Sequence, residues 1–436
     1  MAAPSDPLPD PLPVEPLTGP LAATVVIPGS KSLTNRALVC AALGDGPSVL
    51  TGVLDSDDTR VMLDGLRALG VQIDDADDRV TVWGRRGRFD GGARTVDAGL
   101  SGTTSRFLLA VAALCPGPVT VDGGAPLRAR PMADGVAALE ALGCEVASDG
   151  GRLPITVARP EDEFTGSITV RGEVSSQFLS GLLLAAPCLP DGLEITVDGP
   201  LQSVPYVEMT IAVMRAFGAR VEQSDDLRWF AVEPTGYQHT AYAIEPDASA
   251  ASYVLAAAAL CGGTVTVPGL GSDSVQGDVR FAEVLRTYGA TVTVTSDSVT
   301  VTGDRLLGGD VDMGDISDTA QTLAAIAPFA EAPTTIHGIG FIRGKETDRI
   351  AAVVTELGKL GVVASEQPDG LHVEPGDVSP ATVDTYDDHR MAMSFAVLGL
   401  RAPGVAIADP GCVSKTFPGF WNTLEDMRRQ SEGHGS

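Results

Sequence analysis

The chain is 436 residues long, and its 57 Asp and Glu against 30 Lys and Arg leave a formal charge of −27. A surface of that sign repels nucleic acid and anionic membranes, which argues against polyanion-binding functions. The length predicts two domains, each large enough for its own core, and the six cysteines, none in C-x-x-C spacing, read as reduced core residues.

In chain order, Met1 to Pro20 is Pro-rich and acidic, with neither the basic start nor the apolar run of a signal peptide. A flexible tail over about residues 1–15 is expected, with Ser431 to Ser436 its counterpart at the other end. No stretch is long and apolar enough to span a bilayer. The expectation is a cytoplasmic monomer that acts on small molecules, with no nucleic-acid or membrane partner.

Pro28-Gly29-Ser30-Lys31-Ser32-Leu33-Thr34-Asn35-Arg36 follows. A small-residue turn delivers Lys31 and Ser32 to a helix start, where unpaired N–H groups and the helix dipole favour an anion, and Arg36 lies one turn later on the same face. Lysine is a point charge and arginine a bidentate fork, so the segment suits a phosphorylated or carboxylated metabolite. A nucleotide P-loop does not fit, because Ser30 separates Gly29 from Lys31 and Thr24 takes the upstream glycine position.

From there the chain repeats itself. An Ala/Leu-rich helix, a Gly/Pro/Asp turn and a short Val/Thr strand recur at Arg36 to Val53, Arg106 to Gly123, Phe178 to Gly199, Ser252 to Gly269, Thr319 to Gly338 and Met391 to Pro410. Between them, amphipathic helices end at Gly70, Gly143, Gly218, Gly289 and Gly361, each a helix C-terminal signal followed by alternating β-branched residues. The pattern predicts an α/β protein with helices on mixed sheets. Ile27-Pro28-Gly29 and Glu245-Pro246-Asp247 mark the places where the chain crosses between domains.

The repeated first helices open on polar residues: Lys31-Ser32, Ser101-Gly102-Thr103 with Arg106, Ser175-Ser176-Gln177, Asp247-Ala248-Ser249, Ser317-Asp318-Thr319 and Asp387-Asp388-His389-Arg390. Capping accounts for the Ser, Thr and Asp, but it has no need of Lys31, Gln177, His389 or Arg390. Acid-base capacity lies in Arg343-Gly344-Lys345-Glu346-Thr347-Asp348-Arg349, where Glu346 beside Lys345 is a candidate general acid, and in Asp318, which reads equally as a cap or as a base.

Taken together, Pro28 to Arg36, Leu54-Asp55-Ser56-Asp57-Asp58-Thr59, Arg130-Pro131-Met132, Ser175-Ser176-Gln177-Phe178, Lys345 to Arg349, Asp388-His389-Arg390-Met391-Ala392-Met393 and Lys415-Thr416-Phe417-Pro418 resemble the 5-enolpyruvylshikimate-3-phosphate synthase family, in order from about Leu21 to Trp421. The resemblance implies two similar domains of three βαβαββ repeats each, an inside-out α/β barrel of the enolpyruvyl transferase type. Residues 1–27 plus 246–436 would form one domain and 28–245 the other, with the active site in the cleft between them.

The resemblance also implies transfer of the enolpyruvyl group of phosphoenolpyruvate to the 5-hydroxyl of shikimate 3-phosphate, without metal or organic cofactor. By match to the family, Lys31, Ser32, Arg36, Ser175, Ser176, Gln177, Ser203, Tyr206, Asp318 and Lys345 would hold shikimate 3-phosphate. Lys31, Gly102, Arg130, Gln177, Arg349, Arg390 and Lys415 would hold phosphoenolpyruvate. Asp318 would be the base, Glu346 the proton donor and Lys31 their assistant. Glyphosate would occupy the phosphoenolpyruvate position beside Gly102. Leu100, Ser101, Phe107, Val204 and Phe341 depart from the family's common residues. The related UDP-N-acetylglucosamine enolpyruvyltransferases use a loop cysteine, whereas the matching segment here, Gly123 to Pro131, has none.

Overall fold

The structure, a computed structural model, describes residues 8–76, 79–160, 163–172 and 175–433. The chain divides into two compact units, one of Gly29–Glu245 and one that joins Met1–Pro28 to Pro246–Ser436. Both are α/β, as the alternation of helix and strand signals predicts.

Five four-stranded sheets share one topology. In the sheet of Ser167–Arg171, Leu193–Asp198, Trp229–Val232 and Val221–Gln223, the first two strands are parallel and the others add antiparallel. A parallel pair needs a crossover, and the helix Ser176–Ala185 supplies it. Two sheets take their parallel strand from a distant part of the chain. Leu21–Thr24 pairs with Gly263–Pro268, and Ala241–Ala243 with Pro47–Thr51, so in each unit the strand just before a crossing completes a sheet.

The sixth sheet has three strands, and it corrects the expectation of a flexible tail. Leu12–Pro13 adds antiparallel to Val405–Ile407, Val14 donates to the Val405 carbonyl at 2.9 Å, and Val14 is buried. Backbone bonds and an apolar anchor hold this Pro-rich stretch, because the last repeat lacks the hairpin that completes the other sheets. At the other end Ser431 belongs to the helix Phe420–Gly433 and accepts from the Ala22 N–H at 3.1 Å, so the expected mobility there is also corrected. Residues 1–7 and 434–436 of the expected tails lie outside the described residues.

Beyond its polar start each repeat's first helix is mostly apolar and buried, the mark of a helix surrounded by protein. Every residue of Gly102–Ala112 and of His389–Gly399 is buried. In the unit that ends the chain, Ala248–Cys261, Ala320–Ile326 and His389–Gly399 pack on one another beneath the sheets. Small residues set the approach distances: a β-carbon on Gly181 would lie 2.9 Å from the Arg106 carbonyl oxygen, so only glycine lets the helices Ser176–Ala185 and Gly102–Ala112 come so close. The amphipathic second helices end as the sequence predicts, with Gly70, Gly143, Gly218, Gly289 and Gly361 all at positive φ.

Among the described residues no helix is long and apolar enough to cross a membrane. All six cysteines are free thiols, and Cys40, Cys115 and Cys144 are fully buried.

Candidate active site

In the unit Gly29–Glu245, the starts of the repeated helices carry the predicted ligands. Ser30, not Ser32, caps the helix Lys31–Leu43, accepting from the Leu33 N–H at 3.4 Å. Lys31, the first helical residue, pairs with Asp58 at 3.3 Å. Asp58 is itself buried at the start of Asp57–Ala68, where Ser56 and Thr59 form a capping box.

Arg36 is 2% exposed and fixed on three sides. Its Nε donates to Thr210 Oγ1 at 2.7 Å, Nη1 to the Ser32 carbonyl at 3.0 Å and Nη2 to the Tyr206 carbonyl at 3.1 Å, and the guanidinium lies over the Phe107 ring. Burial pulls its pKa down, since no carboxylate compensates the charge. Phe107, a departure from the family's usual residue, therefore supports Arg36 by a cation–π contact. Ser203 sits at φ +53, in the left-handed region, immediately before the helix Val204–Ala216 that carries Tyr206 and Thr210.

Gln177, on the first turn of Ser176–Ala185, ties two helix starts together. Its Oε1 accepts from Arg106 Nη1 at 2.9 Å and its Nε2 donates to Thr103 Oγ1 at 3.2 Å. Ser175 caps the same helix, accepting from the Gln177 N–H at 3.4 Å, and Ser176 is buried beside it. Gly102 faces two guanidinium groups: a β-carbon there would lie 2.6 Å from Arg106 Nη1 and 3.0 Å from Arg130 Nη1. Glycine at this position lets two cations lie close against the helix start.

The unit that ends the chain builds its cluster around Arg349, whose side chain is 2% exposed. Asp348 caps the helix Arg349–Lys359, so the charged segment is a loop-to-helix junction, as expected. Arg349 Nε donates to Asp388 Oδ2 at 2.7 Å, Nη1 to Asp318 Oδ1 at 3.2 Å and Nη2 to Glu346 Oε2 at 2.8 Å. The candidate base and the candidate acid thus meet on one guanidinium. Arg390 Nη2 holds the other Asp318 oxygen at 2.6 Å, and Lys415 Nζ holds the other Glu346 oxygen at 2.9 Å. Burial works against the charge on Arg349, but Asp388, Glu346 and Asp318 outweigh it and raise its pKa. Tyr253, buried against Arg390, is pushed up to about 12.

Asp318 lies in the 3₁₀ turn Gly314–Thr319, and its carboxylate goes to the two arginines. Glu346 pairs with Arg349 and Lys415 rather than with its neighbour Lys345, whose ammonium lies over the Phe341 ring.

Sequence reasoning did not place Asp388, Asp58, Thr210 or Thr103 in the site. Asp388 reads as a helix cap and is one, accepting from the Arg390 N–H at 2.9 Å, yet the same carboxylate neutralises Arg349. No signal in the sequence distinguishes a cap that also does this.

The EPSP synthase (3-phosphoshikimate 1-carboxyvinyltransferase) family profile matches residues 17–424. The chain is 44% identical to a 3-phosphoshikimate 1-carboxyvinyltransferase of Nostoc punctiforme, over 97% of this chain and all of that one. It is 41% identical to the chloroplastic 3-phosphoshikimate 1-carboxyvinyltransferase of Petunia hybrida, over 94% and 84% of the two chains. In structure it is similar to EPSP synthase from Acinetobacter baumannii, with a TM-score of 0.78 and 25% identity over 94% of this chain and 97% of that one. The enolpyruvyl transferase NikO from Streptomyces tendae shares the fold, with a TM-score of 0.72 and 19% identity over 94% and 95%.

Proposed function

The chain belongs to the EPSP synthase family, the 3-phosphoshikimate 1-carboxyvinyltransferases, and we propose how its residues divide the work of that reaction. It is a transferase of the shikimate pathway to chorismate and the aromatic amino acids: the enolpyruvyl group of phosphoenolpyruvate passes to the 5-hydroxyl of shikimate 3-phosphate, and phosphate is released. The reaction runs in the cytoplasm on a monomer, with small-molecule substrates only.

Phosphoenolpyruvate is held by Arg349, Arg390, Lys415, Lys31, Gly102, Arg130 and Gln177. Shikimate 3-phosphate is held by Ser32, Arg36, Ser175, Ser176, Gln177, Ser203 and Tyr206, together with Lys345 and Asp318. Both substrates are anions, so the charge to be offset is large, and a dense cationic shell is the chemical requirement. The chain meets it locally against its net charge of −27.

The observation that carries this division is the bridging of Asp318 and Glu346 by Arg349. Three carboxylates and three cations of that cluster neutralise one another. When the carboxylate and phosphate of phosphoenolpyruvate take over the guanidinium and ammonium groups, Asp318 and Glu346 are released to act. Asp318 takes the proton of the 5-hydroxyl as the hydroxyl oxygen bonds to C2, and Glu346, protonated from solvent once its two cations turn to the substrate, delivers that proton to the methylene C3. The Glu346 carboxylate then takes back a C3 proton as the double bond re-forms and the C2–O bond to phosphate breaks, with Lys31 balancing charge on the departing phosphate.

The test is phosphate release with phosphoenolpyruvate and either shikimate 3-phosphate or UDP-N-acetylglucosamine as acceptor. Turnover with the first alone is expected. Turnover only with the second would overturn the acceptor assignment.

A further inference from the structure

The helix Arg349–Lys359 touches the segment Asp384 to Asp388 at both of its ends, and only the first contact involves a residue with an assigned role. At its start Arg349 holds Asp388. Two turns later on the same face is Glu356, 0% exposed. Its carboxylate accepts from the Tyr386 hydroxyl at 2.5 Å and from the Asp384 N–H at 3.0 Å, and pairs with Lys359 at 2.8 Å. A buried carboxylate is retained at such a place only when its partners repay its desolvation, and here two of the three partners, Asp384 and Tyr386, belong to one short turn.

That turn is strained. Tyr386 and Asp387 both sit at φ +56, a conformation that residues with side chains adopt reluctantly, and two in succession are rarer still. The next residue is Asp388, which caps the helix His389–Gly399 by accepting from the Arg390 N–H and holds the Arg349 guanidinium, so that it fixes the backbone of one arginine and the side chain of the other. We propose that Glu356 is a positioning residue for the anion-binding pair Arg349 and Arg390: by tethering Asp384 and Tyr386 it holds the left-handed turn that aims Asp388. The substrate affected is the one assigned to those arginines, phosphoenolpyruvate, and the proposal rests on that assignment.

The test uses the full chain and reads KM for each substrate separately. Glu356→Gln keeps the shape but loses the charge that binds the tyrosine hydroxyl, and Tyr386→Phe removes only the hydroxyl. Each is expected to raise KM for phosphoenolpyruvate five- to twentyfold, with KM for shikimate 3-phosphate and kcat within about threefold of the parent. Glycine adopts positive φ without help, so Asp387→Gly in the Glu356→Gln background is expected to restore at least half of the lost affinity, a rescue that a purely structural role would not give. Equal rises in both KM values, loss of thermal stability with unchanged kinetics, or absence of the glycine rescue would overturn the proposal. Arg349→Gln is the control: if it leaves KM for phosphoenolpyruvate unchanged, the ligand assignment fails, whereas a large rise there with a silent Glu356→Gln defeats only the positioning role.

Discussion

Arg349 Nε lies 2.7 Å from Asp388 Oδ2, and both side chains are shut away from solvent, 2% and 0% exposed. A buried ion pair adds little net stability over an apolar pair, but removing one partner strands the other in a medium that cannot solvate it. Asp388→Ala is therefore expected to destabilise the unit by about 3–5 kcal/mol, part of which is the lost cap. Urea unfolding followed by circular dichroism measures this. A midpoint equal to the parent's would mean that Arg349 finds compensation elsewhere.

Removing the candidate base separates chemistry from binding. Asp318→Ala is expected to lower kcat by on the order of 10²–10⁴ with a smaller effect on KM, as loss of a general base does. Arg130→Ala is expected chiefly to raise KM for phosphoenolpyruvate. Near-normal turnover of Asp318→Ala would reduce that carboxylate to a counter-ion for Arg349 and Arg390.

Much of this was legible in the sequence, and what was not has a physical reason. The glycines at 70, 143, 218, 289 and 361 announced five helix ends because a positive φ at that place is a local backbone demand. The polar helix starts were legible for the same reason. Pairings across the sequence were not: nothing near Leu12–Pro13 says that it completes a sheet with Val405–Ile407, and its prolines argue for a tail. Nor does local pattern tell which cation a carboxylate will meet. Glu346 sits beside Lys345 in sequence and bonds to Lys415, because a helix start turns successive side chains in different directions. Lys31, Gly102, Gln177 and Arg349 were placed by resemblance, and their hydrogen-bonded and ionic neighbours Asp58, Thr103, Arg106 and Asp388 emerged only with the fold.

Buried and half-buried thiols and phenols are expected to set the alkaline limit of stability. Burial pushes Cys115, Cys188, Cys261 and Cys412 up to about 12 and Cys144 to about 11, and Tyr242, Tyr253 and Tyr288 to about 12. The folded values exceed the unfolded ones, so this stabilisation is complete below about pH 9 for the thiols and about pH 10 for the phenols, and is lost as pH rises toward 12. Stability is expected to fall by more than about 2 kcal/mol between pH 9 and 11, with a shallower slope in Cys115→Ala. A flat urea midpoint across that range would show the thiols to be accessible in the folded chain.

The space at Gly102 is the most specific prediction for inhibition. Glycine there lets Arg106 and Arg130 lie close against the backbone, beside the place that resemblance to the family assigns to phosphoenolpyruvate and to glyphosate. A methyl group would approach Arg106 Nη1 to 2.6 Å and Arg130 Nη1 to 3.0 Å. Both are the ends of long side chains, so Gly102→Ala should fold and should push the guanidinium groups aside rather than disrupt the helix Gly102–Ala112. Phosphoenolpyruvate tolerates a small displacement because its charges can follow the arginines, whereas the longer phosphonomethyl group of glyphosate needs the occupied volume itself. Overpacking of this kind costs about 1–3 kcal/mol, which is roughly a five- to hundredfold rise in the inhibition constant, against a few-fold rise in KM for phosphoenolpyruvate. Steady-state inhibition at saturating shikimate 3-phosphate measures both. An alanine variant that loses the two ligands equally, or a parent indifferent to glyphosate, would remove Gly102 from the site.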